Sequence, residues 1–150
     1  MSSVYNHINK IEIDKKNLLE ICNIEFKVYF PLIKFVNKKN FLSISNKMKF
    51  DKSIFFPFPI YLNIKKKFDK SCIEGKKVGL YFKENKVCDY LIEEKYSLNM
   101  NEKIKNGKKL FGTNKLSHPG FSKFINEKGI YLSGKILNFN KKLISKIKFS

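Results

Sequence analysis

The segment KVGLYFKENKVCDYLI (77–92) constrains the fold more than any other part of the chain. Apolar residues alternate with other residues in 77–82, which is the two-residue period of a strand with one buried face. Glu84–Asn85 is predicted as a turn, and 87–92 as the returning strand. Gly79, inside the first strand, indicates a bulge or a close backbone approach. The fold must therefore contain an antiparallel hairpin.

Helix signals are short and carry their own caps. Asp14 and Asn37 can each accept a hydrogen bond from the first turn of a following amphipathic segment, which predicts helices over Asp14–Ile24 and Asn37–Met48. Asn99–Lys109 is predicted as a short helix or charged turn that ends at Gly107.

The second half of the chain is predicted to add a further helix and several short strands. Ser117–Pro119 opens a third helix, with Gly129 as the residue just after its end. Short strands are expected at Ile60–Ile64, Ile130–Leu132 and Ile136–Phe139. Short helices among many short strands indicate an α+β fold whose sheet curls on itself. No repeat or Gly/Ser-rich linker divides the chain, so residues 1–150 are expected to form one domain.

The charge of the chain is extreme but has a simple explanation. The net charge is +18, which favours nucleic acid or an anionic surface as a partner. All 31 basic residues are Lys, however, and the chain contains no Arg. Lys lacks the planar guanidinium group with which Arg binds phosphate in a bidentate manner. In addition, Lys, Ile, Asn, Phe and Tyr are encoded by AT-rich codons, so a biased genome would enrich lysine without selection by a partner. A solvated lysine surface is therefore favoured, and nonspecific nucleic-acid binding is the alternative.

The cysteines and the hydropathy pattern bear on the compartment. Cys22, Cys72 and Cys88 are odd in number and widely spaced, which favours reduced thiols over disulfides or a zinc site. No apolar run approaches the 18 residues of a membrane span, and the N-terminus lacks a signal-peptide core. The expected location is the cytoplasm, without a membrane partner.

One stretch imitates a phosphate-binding loop. Gly129–Ile136 reads GIYLSGKI, which matches G-x-x-x-x-G-K but places Ile136 where Ser or Thr would hold Mg²⁺. Its residues favour extended backbone, so the interpretation is strand, turn and strand, and the match is a coincidence.

No other constellation points to catalysis. The two histidines, His7 and His118, are far apart in sequence, and His118 is interpreted as a turn-organising residue. Glu93 and Glu94 are neighbours on a predicted strand and point to opposite faces, so they cannot share an acid/base site. We expect no catalytic, cofactor-binding or metal-binding residue in the chain.

Leu110–Lys135 carries a more specific pattern. Phe111–Thr113, His118–Gly120, Tyr131 and Gly134 resemble the Phe-Gly-Thr, His-Pro-Gly and Tyr-x-x-Gly series near the end of the N-terminal, PUA-like domain of ATP sulfurylase (sulfate adenylyltransferase). Upstream, FFPFPIYLNI and YFPLIKFVNKKNF are similar to two further segments of that domain, in the same order. The resemblance implies a PUA-like curled sheet, or pseudo-barrel, with a few short helices. It also implies that the following residues are structural rather than catalytic: Pro31, Leu32, Phe35, Pro57, Pro59, Gly112, Thr113, His118, Pro119, Gly120 and Gly134.

The departures from that family are equally informative. Lys27, Val28 and Lys34 stand where the family usually has glycines, which implies altered turns or strained φ angles. The family binds MgATP and sulfate in a following catalytic domain, through Gln-x-Arg-Asn-Pro and H-x-x-H segments. This chain contains no Gln and no Arg, so those segments are absent from it. The resemblance implies no cofactor in this chain and a separately encoded catalytic domain as its partner.

Two functional hypotheses follow. In the first, the chain is the noncatalytic N-terminal domain of a sulfate adenylyltransferase, as a split subunit or a truncated remnant. In the second, it is a free-standing PUA-like module that binds RNA through its lysines, a hypothesis based on analogy of fold.

Overall fold

The computed structural model describes residues 8–50, 54–56 and 58–146. A five-stranded sheet, in the order β1-β5-β6-β7-β4, curls into a half-barrel, and only the β1–β5 pair within it is parallel. Two further strands, β2 and β3, form a separate antiparallel pair. The strands are β1 (Asn9–Glu12), β2 (Lys49–Phe50), β3 (Ile54–Phe55), β4 (Leu62–Ile64), β5 (Lys77–Phe82), β6 (Asn85–Tyr96) and β7 (Ile130–Leu137). The α+β prediction and the curled sheet are confirmed.

Within the described residues, the chain also forms five α-helices and one 3₁₀ helix. They are α1 (Lys15–Glu25), α2 (Lys38–Lys47), α3 (Met100–Phe111), α4 (Pro119–Asn126), α5 (Lys141–Lys146) and the 3₁₀ helix Lys66–Ser71. The core lies between the inner face of the sheet and the helices. Its largest fully buried side chains include Tyr90, Tyr131, Phe35 and Phe41.

The hairpin of β5 and β6 forms, but its turn lies one residue earlier than predicted. Phe82 pairs with Asn85, so Lys83 and Glu84 are the two turn residues. Both adopt positive φ, at 47° and 68°, as a tight hairpin turn with the twist of its strands requires. The irregularity indicated by Gly79 also exists, although the register shifts between Leu80 and Tyr81.

The predicted helix starts are correct, and two predicted helix ends are wrong. Asp14 and Asn37 accept hydrogen bonds from the backbone N–H groups of Asn17 and Asn40, each at 2.8 Å. Helix α3 continues through Gly107 and ends at Phe111. A Cβ on Gly107 would lie 3.0 Å from the rings of Phe121 and Phe124. Glycine is therefore needed here for close packing of α3 against α4, and it does not end the helix.

The end of α4 differs from the prediction in a similar way. The helix ends at Asn126, so Gly129 is not its first residue beyond the cap. Gly129 instead has φ +122° just before β7, and a Cβ on it would lie 2.1 Å from the carbonyl oxygen of Ile64. Close approach to β4, rather than helix capping, requires glycine at this position.

The cysteine prediction agrees with the structure. Cys22, Cys72 and Cys88 are all buried and unbridged. Burial raises the pKa of the Cys72 thiol to about 11 and that of the Cys88 thiol to about 12. These thiols therefore stay protonated near neutral pH and do not act as nucleophiles.

Asp89 ties the centre of the sheet to the segment that follows β7. Its carboxylate lies 2.6 Å from Lys86 Nζ and accepts a hydrogen bond from Asn138 Nδ2 at 2.9 Å. Burial by itself would raise the pKa of Asp89. The hydrogen bonds from Lys86 and Asn138 and the charges of Lys86 and Lys77 together hold that pKa below its ordinary value.

We predict that Asp89→Asn lowers the free energy of unfolding by about 1 kcal/mol at pH 7. A carboxyl whose pKa is depressed on folding stabilises the protein above its unfolded pKa, near 3.8, and this contribution disappears as the pH falls through the folded-state pKa. The difference between Asp89→Asn and wild type should therefore fade below about pH 4. Urea unfolding over a pH series measures it, with Asp69→Asn, at an exposed ion pair, as the control. A difference that is the same at pH 3 and pH 7 would contradict the prediction.

Candidate functional site

The turn between α3 and α4 contains most of the family-like residues. Gly112 ends α3 in the left-handed region at φ 69°, and Thr113 Oγ1 accepts a hydrogen bond from the backbone N–H of Lys115 at 3.2 Å. His118 caps α4, because its Nδ1 accepts the Phe121 N–H at 3.2 Å. Pro119 occupies the first position of the helix, where a missing N–H costs nothing. His118 therefore caps the start of α4 in this structure, while its assignment as a purely structural residue stays a prediction.

We predict that His118→Ala costs about 1 kcal/mol of stability through loss of this cap. His118→Asn, which supplies a side-chain oxygen as a new acceptor, should recover most of the loss. Thermal unfolding of the two variants and wild type tests this. If the Asn variant is as unstable as the Ala variant, the ring contact of His118 with Phe111, at 5.6 Å between centroids, matters more than the cap.

Phe111 is the centre of an aromatic cluster behind this turn. Its ring lies 5.8 Å from the ring of Phe58 and 6.1 Å from that of Phe124, measured between centroids. Gly120 makes room for it, since a Cβ on Gly120 would lie 2.7 Å from Phe111 Cε1. A small pocket of about 280 Å³ opens here, with Lys16 and Lys123 among its lining residues. Its aromatic walls can hold an apolar or planar group.

Glu127 organises the polar side of the same region. Its carboxylate accepts hydrogen bonds from the hydroxyls of Tyr61, at 3.3 Å, and Tyr131, at 3.1 Å. Lys16 Nζ lies 3.9 Å from the carboxylate, and Lys103 Nζ donates to the Glu127 carbonyl oxygen. Burial raises the pKa of both tyrosines, and the Glu127 charge raises it further. These hydroxyls therefore act as hydrogen-bond donors at neutral pH rather than as bases.

An open cleft of about 630 Å³ lies on the other side of Glu127, and sequence reasoning missed it. It is lined by residues of the 3₁₀ helix, the end of β6, the start of α3 and the segment before β7. Four of these are lysines, Lys66, Lys95, Lys103 and Lys128. Asp69 pairs with Lys95 at 2.9 Å and Glu127 also lines the cleft, so four lysines face two carboxylates and the lining has a net positive charge. No sequence motif marks the cleft, because its lysines come from four separate segments.

The imitation phosphate loop has no phosphate-binding geometry. GIYLSGKI is not strand, turn and strand, as predicted, because residues 130–137 form the single strand β7. Gly134 lies opposite Ile92, and a Cβ on it would lie 1.9 Å from the carbonyl oxygen of Leu91. The glycine therefore permits close approach of β6, and the conclusion that the motif is a coincidence holds.

The other family-like residues lie elsewhere. Pro31, Leu32 and Phe35 belong to the loop between α1 and α2, where the Phe30–Pro31 peptide bond is cis and Leu32 and Phe35 are buried. Pro59 is buried just before β4, and Pro57 lies outside the described residues. Pro31, Leu32, Phe35 and Pro59 serve packing and chain direction, while the relation of these residues to a substrate or partner stays a prediction.

Two kinds of site do not occur in the part of the chain that the structure covers. Within residues 8–50, 54–56 and 58–146, no three His, Cys, Asp or Glu side chains are grouped so that they could hold a metal ion. No helix in the same ranges has the length and apolar character needed to cross a membrane.

Comparison with known proteins decides the family. The model of the PUA-like domain family matches residues 1–141. The chain belongs to the PUA-like domain family. This match confirms the family and the fold implied by the sequence resemblance.

This PUA-like chain matches the N-terminal part of sulfate adenylyltransferases. It is 27% identical to the sulfate adenylyltransferase of Ignicoccus hospitalis over 130 residues, which cover 87% of this chain and 33% of that protein. It is 31% identical to the Pyrococcus abyssi sulfate adenylyltransferase over 126 residues, or 83% of this chain and 31% of that protein. The chain thus spans about a third of the length of these relatives.

A solved structure supports the same fold. The hexameric APS kinase from Thiobacillus denitrificans superposes with a TM-score of 0.62 over 87% of this chain and 21% of that one. The sequence identity is 13%, so this similarity concerns the fold alone.

Proposed function

We propose that this PUA-like chain is the noncatalytic N-terminal part of a sulfate adenylyltransferase and works with a catalytic part supplied by a separate polypeptide. One observation carries the proposal: two sulfate adenylyltransferases match 87% and 83% of this chain with only a third of their own length. In the whole enzyme, sulfate attacks the α-phosphorus of MgATP to give adenylyl sulfate and pyrophosphate. MgATP is then a substrate of the assembly and not a cofactor held by this chain.

The side chains present favour a noncatalytic role. Stabilising a triphosphate as it reacts needs an array of preorganised cations and donors, for which Arg is the usual residue. The chain has neither Arg nor Gln. The hydroxyls of Tyr61, Tyr90, Tyr96 and Tyr131 have raised pKa values mainly because they are buried. Buried hydroxyls that stay neutral stabilise the fold, and they do not transfer protons at neutral pH.

The genome of the source organism offers the first test. We expect an open reading frame near this gene that encodes the Gln-x-Arg-Asn-Pro and H-x-x-H segments without a PUA-like domain of its own. Such a frame supports a split enzyme. Noncoding sequence downstream and no such frame elsewhere would favour a truncated remnant and contradict the proposed role.

Co-purification provides the direct test. A tagged form of this chain, expressed in its source cells, is expected to retain the catalytic polypeptide and sulfate-dependent release of pyrophosphate. Retention of neither would contradict the proposal.

We place the complex in the cytoplasm, which the three unbridged buried thiols favour.

The basic cleft favours a second candidate function, the binding of nucleic acid. Lys66, Lys95, Lys103 and Lys128 line one cleft and can attract a phosphate backbone. Filter binding of structured RNA over a salt series, with Lys66→Ala/Lys128→Ala as the comparison, tests this function. Specific binding should survive physiological salt and weaken in the double variant. Binding that ignores RNA structure and vanishes near physiological salt would reduce it to nonspecific attraction.

A further inference from the structure

The loop between α1 and α2 presents an unusual set of exposed apolar side chains. Phe26, Val28, Phe30 and Ile33 are 55%, 63%, 67% and 61% exposed, respectively. Single exposed apolar residues are common, but several large ones on one short loop mark a surface that another molecule covers. We call these four residues the apolar loop patch.

The patch is held in place from beneath by ordered backbone. The N–H of Val28 donates to the Asn23 carbonyl at 2.9 Å, and the N–H of Leu32 donates to the Tyr29 carbonyl at 2.9 Å. The Tyr29 hydroxyl is anchored on Glu20 at 2.5 Å, and Leu32 is only 1% exposed. Anchoring of Tyr29 and Leu32 into the protein leaves the intervening and flanking side chains directed outward.

One residue of this loop retains a backbone conformation that favours glycine. Lys27 has φ 60°, in the left-handed region, at one of the positions where the sequence resemblance implies glycine. The sequence-based expectation of altered turns or strained φ angles covered Lys27, Val28 and Lys34, and of these three only Lys27 has a positive φ. The loop therefore keeps its turn although the residue that makes the turn easy is gone.

The position of the patch indicates its occupant. The Phe26 ring packs edge-on against the Phe139 ring, with 6.0 Å between centroids. Phe139 lies just before residue 141, where the match to the PUA-like domain ends, and the matched relatives are about three times as long as the matched segment. One residue of the patch, Phe26, thus contacts the segment that lies just before the end of the family match. Contact with that segment favours the remainder of the enzyme over an unrelated protein.

We propose that the apolar loop patch is the docking surface for the catalytic part of a sulfate adenylyltransferase. This inference rests on the proposed function and adds to it the face that the catalytic part contacts. Lys34, at the edge of the loop, is paired with Glu93 at 2.8 Å, so the positive charge beside the patch comes from Lys27 within the loop. The complementary surface should therefore be apolar at its centre and carry a carboxylate opposite Lys27.

The docking proposal is tested with exposed substitutions that leave the core intact. We choose Val28→Ser/Phe30→Ser, with Ile33→Ser as a second variant should the double variant unfold. The neutral control is Ile73→Ser, whose residue is 54% exposed on a different segment. Leu116→Ser, at a position 67% exposed between α3 and α4, tests the alternative that this turn faces the catalytic part. Circular dichroism and thermal unfolding establish that each variant is folded.

Binding to the co-purified catalytic chain is then measured by surface plasmon resonance, and self-association by analytical ultracentrifugation. We expect the patch variants to bind at least tenfold more weakly and Ile73→Ser to bind within twofold of wild type. Normal binding by the patch variants, or loss only in Leu116→Ser, would overturn the docking proposal while leaving the proposed function intact. Wild-type self-association abolished by the patch variants would identify a second copy as the occupant and also overturn it. Failure of the wild-type chain to bind any catalytic chain would overturn the proposed function together with the docking proposal.

Discussion

Gly134→Ala is expected to lower the free energy of unfolding by at least about 3 kcal/mol, and the variant should be largely unfolded if the parent is only marginally stable. The reason is the close approach of the β6 backbone to the β7 backbone at Gly134. A Cβ at this position would lie 1.9 Å from Leu91 O, 2.9 Å from Leu91 C and 3.1 Å from Glu93 N. None of these is the flexible end of a side chain. Relief requires β6 and β7 to separate where the register already shifts, between Ile92 and Glu94.

Gly112→Ala is the matched control for that substitution. Gly112 has φ 69° but nothing within 4 Å of the position that a Cβ would occupy. Its replacement should cost only about 1 kcal/mol, from backbone strain without a clash. Equilibrium urea unfolding of both variants makes the comparison. A loss at Gly134 no larger than the loss at Gly112 would show that β6 and β7 can move apart readily, contrary to our account of the sheet.

Phe41→Ala is expected to cost about 3–5 kcal/mol. Phe41 projects from α2, has no exposed surface, and its ring lies within 5.3–6.2 Å of the rings of Tyr61, Phe124 and Tyr131. Its removal leaves a cavity among large rigid rings that cannot collapse to fill it. The loss should also loosen α4, because Phe124 forms part of the same cluster.

Val28→Ala serves as the control for the core substitution. Val28 is 63% exposed, so its truncation should change stability by no more than about 0.5 kcal/mol. Thermal and urea unfolding measure both variants, and hydrogen exchange of the α4 amides reports the local effect. If Phe41→Ala loses less than about 1 kcal/mol, the aromatic cluster is not the centre of the core.

Local signals determined what the sequence could predict. The caps Asp14 and Asn37 act within three residues of their own position, so their hydrogen bonds were predictable from the residue types alone. The start of a helix near His118 was predicted, but the capping hydrogen bond of His118 was not. The hairpin was predictable from its alternation of apolar residues. Its turn was placed one residue too late, because Lys83 and Glu84 adopt positive φ without the glycine or asparagine that normally indicates it.

The other errors involve residues whose role depends on a distant partner. Gly107 indicates the end of a helix locally, yet α3 continues because two phenylalanines of α4 occupy the space beside it. Gly134 indicates a turn locally, yet the strand continues because β6 needs close approach there. Tertiary packing overrides local preference at both positions.

The candidate site divides in the same way. The turn with Gly112 and His118 was found from a continuous motif. The basic cleft and the Tyr61–Glu127–Tyr131 network were missed, because their members are separated by up to 70 residues and share no spacing rule. The apolar loop patch was also missed, because a sequence of large apolar residues predicts buried core positions, and only the structure shows that these side chains are exposed.

Sulfate-dependent release of pyrophosphate tests the central claim most directly. The purified chain, the catalytic polypeptide and their mixture are each supplied with MgATP and sulfate, with and without the Val28→Ser/Phe30→Ser variant in place of the wild-type chain. We predict no release above the blank from this chain alone and sulfate-dependent release from the wild-type mixture. Sulfate-dependent release by the purified 150-residue chain alone would show that it carries its own catalytic groups and would contradict the account.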